Sequence, residues 1–262
     1  MPMPRIMGKT VKEKFKVYGN VFDHFTVRTI IHLSSKLGFD AYSLTPLFIG
    51  KEANVFLCDR EGAGDESLVL KIYRLETCDF NRLYDHIRFD PRFMSLRKQR
   101  RKVIFAWTQR EFRNLMKARE AKVRVPMPFA FENNVLAMEF IGDDSPAPKL
   151  KDDMPEDAEG FFAEVVAQVK RLLAAGLVHG DLSPFNILNY RGMPVLIDFS
   201  QATPVEAENA RELLLRDIAI VCTFFIKRGM KVDTAAVTKD VLSSWPRKDR
   251  KGPGKRKIPR EE

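Results

Sequence analysis

Three oxygen-bearing side chains fall close together late in the chain. Asp181 and Asn186 lie in His179-Gly180-Asp181-Leu182-Ser183-Pro184-Phe185-Asn186, and Asp198 follows the apolar run Val195-Leu196-Ile197. Phosphoryl transfer asks little covalent chemistry of a protein. It needs an acceptor hydroxyl held in line and the charge on the phosphates neutralised by metal and cation. A carboxylate at 181 suits the first task. The amide oxygen of Asn186 and the carboxylate of Asp198 suit the second, as hard ligands for Mg2+ or Mn2+. Singly, each would pass for an ordinary turn residue. Together, with short strands expected at Ile187-Leu188 and Val195-Leu196-Ile197, they read as one catalytic centre. His179 reads as a buried structural imidazole rather than a base.

Lys71 is the cation such a centre needs. In the alternating run Leu68 to Tyr73 it shares a face with Val69 and Tyr73, and an ammonium centred in an apolar strand must leave the core or meet an anion there. Glu111, on a helix expected from Val103 to Glu120, would pair with it and aim it at phosphates, although Glu120 lies on the same helix. The stretch Leu47-Phe48-Ile49-Gly50-Lys51-Glu52-Ala53-Asn54-Val55 holds a single glycine, so the glycine-rich loop of ordinary protein kinases is not present.

The elements that must position these groups can be read from periodicity. A helix is expected over Phe25 to Leu37, ended near Gly38. Strands are expected at 54–58 and 67–73 around a hairpin loop at 61–65, and again at 129–131 and 135–141 around Asn133-Asn134. Residues 76–100 are charged and weakly patterned, an inserted mobile loop in this reading. Apolar recurrence at Phe161, Val165, Val169 and Leu172, and again from Leu213 to Phe225, gives two later helices after a hinge-like Gly142-to-Pro148 composition. Strands first and helices later make an α+β, two-lobed chain with its site in the cleft. The expected divisions are a basic arm (1–24), an N-lobe (25–141), a helical C-lobe (142–245) and a basic tail (246–262).

With 262 residues, 45% of them hydrophobic, the chain can bury one sizeable core or a compact two-lobed one. Three scattered cysteines (Cys58, Cys78, Cys222) form no CxxC pair, which argues against a disulfide framework or zinc site and suits a reducing cytoplasm. The longest apolar runs are about half a membrane span, so no membrane association is expected. Of the +9 net charge, the segment 246–262 supplies +5, and a second basic knot runs from Arg97 to Lys102. Such knots attract RNA phosphates.

These motifs together resemble the RIO-type atypical serine/threonine protein kinases, specifically the RIO-one subfamily in its short archaeal-like form. The resemblance is carried by Gly50-Lys51-Glu52-Ala53-Asn54-Val55-Phe56, Leu70-Lys71-Ile72-Tyr73-Arg74 and Glu111-Phe112-Arg113-Asn114-Leu115. It continues through Val125-Pro126 with Pro128, Met138-Glu139-Phe140-Ile141-Gly142, His179 to Leu188 and Ile197-Asp198-Phe199-Ser200-Gln201-Ala202. It implies a trimmed kinase fold with ATP between the lobes and no activation segment. By matching positions, Asp181 is the catalytic aspartate, Asn186 and Asp198 hold the metal, and Lys71 paired with Glu111 contacts phosphate. Gly50, Lys51 and Val69 border the nucleotide, Met138 is the gatekeeper, and backbone groups of Glu139 and Ile141 meet adenine. Asp217 would be a buried carboxylate gripping backbone amides of the catalytic loop.

The resemblance further implies an acyl phosphate on Asp198, ATPase turnover beside serine phosphorylation of a protein or of the chain itself, and a setting in small ribosomal subunit maturation. Pre-ribosomal particles and rRNA would then be its partners. Thr77 and Ser95 are the hydroxyls available for self-modification in the 76–100 segment. Phe48-Ile49 replaces the family's Ser-Thr, Gly180 its alanine, and Pro184-Phe185 its Glu-Tyr. His-Gly-Asp also occurs in antibiotic phosphotransferases, so a small-molecule phosphotransferase is one alternative. A non-catalytic, nucleotide-gated RNA-binding scaffold is another.

Overall fold

The computed structural model describes residues 22–60, 67–76, 80–87, 90, 93 and 98–246. The expected hairpin loop at 61–65, Thr77, Cys78, Ser95, most of the N-terminal arm and the tail from 247 lie outside them. Helix α1 (His24–Leu37) begins where Asp23 Oδ1 accepts the N–H groups of Phe25 (2.9 Å) and Thr26 (3.1 Å). It ends where Gly38, at φ 70°, returns its N–H to the Ser34 carbonyl. Phe22 packs against Phe56 with ring centroids 5.1 Å apart, so the folded N-lobe starts inside the segment read as an arm to residue 24.

Five antiparallel strands make the N-lobe sheet in the order β1-β2-β3-β5-β4: β1 (Thr45–Ile49), β2 (Ala53–Cys58), β3 (Leu68–Tyr73), β4 (Pro128–Glu132) and β5 (Val135–Glu139). Lys71 sits at its centre, opposite Val55 on β2 and Leu136 on β5. All six β3 residues are buried, because both faces of this middle strand are covered. Ile30 and Leu33 of α1 cover Phe56, Leu70 and Ile72. Helix α3 (Arg100–Glu120), one turn or so longer than expected at its start, runs beside β4, its Phe112 ring 4.9 Å from that of Phe131.

The 76–100 segment differs from the loop expected of it. It contains α2 (Phe80–Ile87), whose Leu83 and Ile87 are buried with Tyr73, Val103, Ile104 and Trp107. Phe80, Leu83, Tyr84 and Ile87 follow the 0, 3, 4, 7 spacing of an amphipathic helix. The charged residues between them hide that stripe from a composition-based reading.

The C-lobe consists of α4 (Ala158–Ala174), α5 (Ala210–Ile226) and α6 (Thr234–Leu242), with the short pair β6 (Leu177–Val178) and β9 (Thr203–Pro204) and the hairpin β7 (Ile187–Tyr190)–β8 (Met193–Leu196). Its core joins Phe161, Val165 and Leu172 of α4 to Leu214, Ile218 and Phe225 of α5, and reaches Leu115 of α3 and Leu136 of β5. Burying such aliphatic and aromatic side chains contributes about 1.5–3 kcal/mol each, and their continuity across the lobes fixes the cleft. Among the described residues, Cys58 and Cys222 are buried free thiols, and no helix is long and apolar enough to cross a membrane.

Candidate active site

The N-lobe delivers a cation and its counter-ion. Lys71 Nζ donates to Glu111 Oε1 at 2.7 Å and to Asp198 Oδ1 at 2.8 Å, bringing β3, α3 and the segment after β8 to one point. Glu111 is 1% exposed, and its second oxygen accepts the Tyr73 hydroxyl. Burial pulls the Lys71 ammonium down, but Asp198 and Glu111 outweigh it and hold its pKa well above the ordinary lysine value. Glu120, the other acid on α3, is exposed.

The C-lobe delivers the oxygens. The β7–β8 ladder pairs Ile187 with Leu196, and one step further the Ile197 N–H donates to the Asn186 carbonyl at 3.0 Å, so the pairing itself sets residues 186 and 198 side by side. Asn186 Nδ2 donates to the Asp181 carbonyl (2.8 Å) and to Asp181 Oδ2 (3.3 Å), which commits the amide nitrogen to Asp181 and turns the amide oxygen the other way. Gln201 Nε2 also donates to Asp181 Oδ2 at 3.3 Å. Asp198 adopts φ 61°, an uncommon left-handed conformation for a non-glycine residue. Its Oδ1 accepts the Ser200 hydroxyl at 2.7 Å as well as Lys71. Burial raises the Asp198 carboxyl, but the Lys71 charge and these hydrogen bonds overcome that and hold it far below the usual carboxylate range.

The loop before Asp181 is built from backbone and buried polar groups. Asp217 on α5 accepts the Gly180 N–H on Oδ2 (2.8 Å) and the Leu182 N–H on Oδ1 (3.1 Å), the grip anticipated for it; burial pushes its pKa up to about 7 against those two amides. Gly180 stands at φ 77°, and a Cβ there would lie 3.0 Å from the Gln201 carbonyl. His179 is 3% exposed, its Nε2 3.1 Å from the Ile197 carbonyl and its ring edge-on to Phe199; burial lowers its pKa to about 4. It is a neutral structural imidazole.

Between these groups and the sheet lies a cavity of about 740 Å3, within the size range of small-molecule sites. Gly50, Lys51, Val69, Lys71, Glu111, Met138, Glu139, Ile141, Asn186 and Asp198 all line it. Asp181 is not part of that lining and stands behind Asn186. The Glu139 carboxylate is turned away to Arg124 (2.8 and 3.0 Å) and the Met127 N–H, and its own N–H donates to the Met127 carbonyl at 2.8 Å. At Gly50 a Cβ would lie 2.7 Å from the Ala53 carbonyl and 2.8 Å from the Phe48 ring, so the tight β1–β2 turn requires glycine. Tyr73, Ser200 and Gln201 belong to the site but were given no role from the sequence. Their only signal was their place in the Leu70-to-Arg74 and Ile197-to-Ala202 motifs.

The model of the RIO domain matches residues 54–237, spanning the cleft and the groups just described apart from the β1–β2 turn with Gly50 and Lys51. The chain belongs to the RIO family. It is 40% identical over 222 residues to the RIO-type serine/threonine-protein kinase Rio1 of Haloferax volcanii, covering 84% of this chain and 76% of that one. Identity to the Methanocaldococcus jannaschii Rio1 kinase is also 40%, over 84% and 74% of the two chains. Human RIO1 is 34% identical over 71% of this chain, which spans 33% of the human protein. The Rio2 kinase–ADP/Mg2+–phosphoaspartate complex of Chaetomium thermophilum superposes with a TM-score of 0.63 at 23% identity, over 85% of this chain and 66% of that one, and shares the two-lobed fold. This RIO protein is therefore a serine/threonine kinase, with its strand-rich lobe above the cleft and its helical lobe below.

Proposed function

We propose that the cleft binds ATP with a divalent cation and that the kinase transfers the γ-phosphoryl group with Asp181, Lys71, Asn186 and Asp198 in the roles their positions suggest. The observation that carries this reading is that Lys71, bonded to Glu111 and Asp198, and Asn186, bonded to Asp181 just behind it, meet across the β7–β8 hairpin at one end of a mostly apolar cavity. Adenine would lie against Val69 and Met138, with the Glu139 carbonyl and Ile141 N–H toward its edge; the Ile141 carbonyl already accepts the Ala147 N–H at 2.9 Å. Lys51 and Lys71 would meet the phosphates.

The donor set fits Mg2+ or Mn2+. One carboxylate and one amide oxygen, with nucleotide phosphates and water completing the shell, is the sparse protein coordination that magnesium prefers. Among the described residues no cluster of three or more His, Cys, Asp or Glu side chains offers a self-sufficient metal cage. When bound, the cation would neutralise phosphate charge. Asp181, outside the nucleotide cavity and oriented by Asn186 and Gln201, would accept the hydrogen bond of an acceptor hydroxyl and hold it in line.

Asp198 also fits a second role. Its Oδ1 takes the hydrogen bonds of Lys71 and Ser200, and its strong acidity keeps it ionised at the entrance to the phosphate end. Its other oxygen could attack the γ-phosphorus as the bond to the ADP oxygen breaks, giving an acyl phosphate. Water would then release phosphate, completing ATP hydrolysis, or a serine hydroxyl of a protein or of this chain would take it. The Rio2 complex with ADP, Mg2+ and phosphoaspartate supports this reading by family likeness.

The biological setting we propose is cytoplasmic maturation of the small ribosomal subunit, with pre-ribosomal particles and rRNA as partners. The exposed basic group Lys98, Arg100, Arg101 and Lys102 at the start of α3 supports RNA contact, since clustered cations on one exposed surface neutralise backbone phosphates.

The test is to label the protein with γ-32P-ATP and Mg2+ and treat it with neutral hydroxylamine. Release of label in the wild type, with no such label in Asp198→Asn, is expected. Hydroxylamine-stable label alone would refute the acyl phosphate. Fast transfer to aminoglycosides or sugars with no protein label would favour the small-molecule phosphotransferase instead.

A further inference from the structure

Helix α3 reaches the metal loop by more than Glu111. One residue earlier, Arg110 is 1% exposed; its Nε donates to Asp90 Oδ2 at 3.0 Å and its Nη1 to the Ser200 carbonyl at 3.2 Å, while the guanidinium lies over the Trp107 ring. One turn later the fully buried Asn114 donates through Nδ2 to the carbonyls of Phe199 (3.0 Å) and Ala202 (2.8 Å). Two side chains of one helix face thus hold three of the four carbonyls that follow Asp198.

That hold is transmitted to the reactive carboxylate. Ser200, fixed through its carbonyl by Arg110, donates its hydroxyl to Asp198 Oδ1. Asp198 keeps a left-handed backbone, and such a conformation persists only where the surroundings over-determine it. Arg110 in turn needs a counter-ion, because a buried guanidinium without one is strongly unfavourable. Asp90 supplies it from beyond α2, its N–H bonded to the Ile87 carbonyl and its own carbonyl to the Phe93 N–H. The segment that read as a mobile loop therefore contributes a buried charge to the back of the site.

We propose that Arg110, Asn114 and the counter-ion Asp90 are positioning residues that set the place of Asp198 and Ser200, and through them the affinity of the site for its divalent cation. None of the three touches the reacting atoms. The affinity half of this inference rests on the metal reading of Asp198 given above; the anchoring half does not.

The full chain is compared with Asp90→Asn, which keeps the shape and removes the charge, and Asn114→Ser, a milder cut than an apolar replacement. Val241→Ala in the buried face of α6 serves as a control for lost stability without lost anchoring. Hydrogen exchange at the amides of 199–203 should quicken tenfold or more in the two variants and not in the control. The half-saturating Mg2+ concentration for turnover should rise about tenfold, the scale typical of outer partners of metal ligands, with ADP affinity in the absence of metal within twofold of wild type. Unchanged exchange in both variants overturns the anchoring, as does an equal change in Val241→Ala. Faster exchange with an unmoved Mg2+ requirement overturns the link to the cation. Full turnover of the wild type without any divalent cation sinks the metal reading of Asp198 instead, and exchange alone then decides the anchoring.

Discussion

Replacing Lys71 with methionine keeps the volume and removes the ammonium that both Glu111 and Asp198 face. Asp198 retains solvent, its side chain being 39% exposed, and loses little stability. Glu111, 1% exposed, is left with the Tyr73 hydroxyl and no positive charge. Breaking a buried pair from one side costs about 3–5 kcal/mol, but Glu111 has an escape: it can take a proton. The cost of that escape is about 1.4 kcal/mol for each pH unit above the unfolded-state glutamate pKa of about 4.3. It caps the loss near 4 kcal/mol at pH 7 and near 1 kcal/mol at pH 5. In the variant the native state binds the extra proton, so stability relative to wild type falls as pH rises. Urea unfolding at pH 5, 6 and 7 reads this directly. The double variant Lys71→Met/Glu111→Gln should recover most of the stability at pH 7 and none of the kinase activity. A loss independent of pH, or a double variant as unstable as the sum of the singles, would refute the argument that Lys71 is retained against a buried, charged Glu111.

Other consequences follow from the same geometry. Gly180→Ala places a side chain at φ 77° and 3.0 Å from the Gln201 carbonyl; it should lose about 1–2 kcal/mol and lower turnover through Gln201 and Asp181, as read by thermal melting and ATP consumption. His179, lowered to about 4, and Asp217, raised to about 7, oppose each other between pH 4 and 6.5: the first makes stability rise with pH, because the unfolded histidine binds the extra proton, and the second makes it fall. Relative to wild type, His179→Gln should therefore lose stability as pH rises through that window and Asp217→Asn should gain it; urea melts showing the same sign for both would contradict the assignment. Changing Arg100, Arg101 and Lys102 to alanine should flatten the salt dependence of single-stranded RNA binding by about two log units per log unit of salt, with ADP affinity unchanged; an unaltered slope in a filter-binding titration would remove that face from RNA contact.

Much of the site was legible because its chemistry is local. Asp181, Asn186 and Asp198 fall within eighteen positions on a loop and hairpin, so spacing alone brings them near. Lys71 announced itself as a cation in an apolar strand. The choice between Glu111 and Glu120 was not legible, since helical periodicity does not say which turn meets β3; packing decides it. The contacts of Tyr73, Arg110 and Asn114 were not legible for a different reason. Their partners lie 20 to 90 residues away, and each taken singly is an unremarkable residue on a strand or helix. Helix α2 was hidden by its charged surface, and the alternation expected in β3 fails because the middle strand of a sheet between a helix layer and a cleft is covered on both faces.

In the proposed reaction the Asp181–Asn186–Asp198 cluster performs phosphoryl transfer on a nucleotide held above it. The most direct test measures ADP binding and ATP turnover together in wild type, Asp181→Asn and Asp198→Asn, with Mg2+ present. Asp181→Asn should bind ADP within a few-fold of wild type yet lose transfer to a protein acceptor by about a hundredfold or more. Asp198→Asn should lose turnover and bind the nucleotide–metal complex more weakly. Wild-type turnover in both variants, with nucleotide bound normally, would contradict the account.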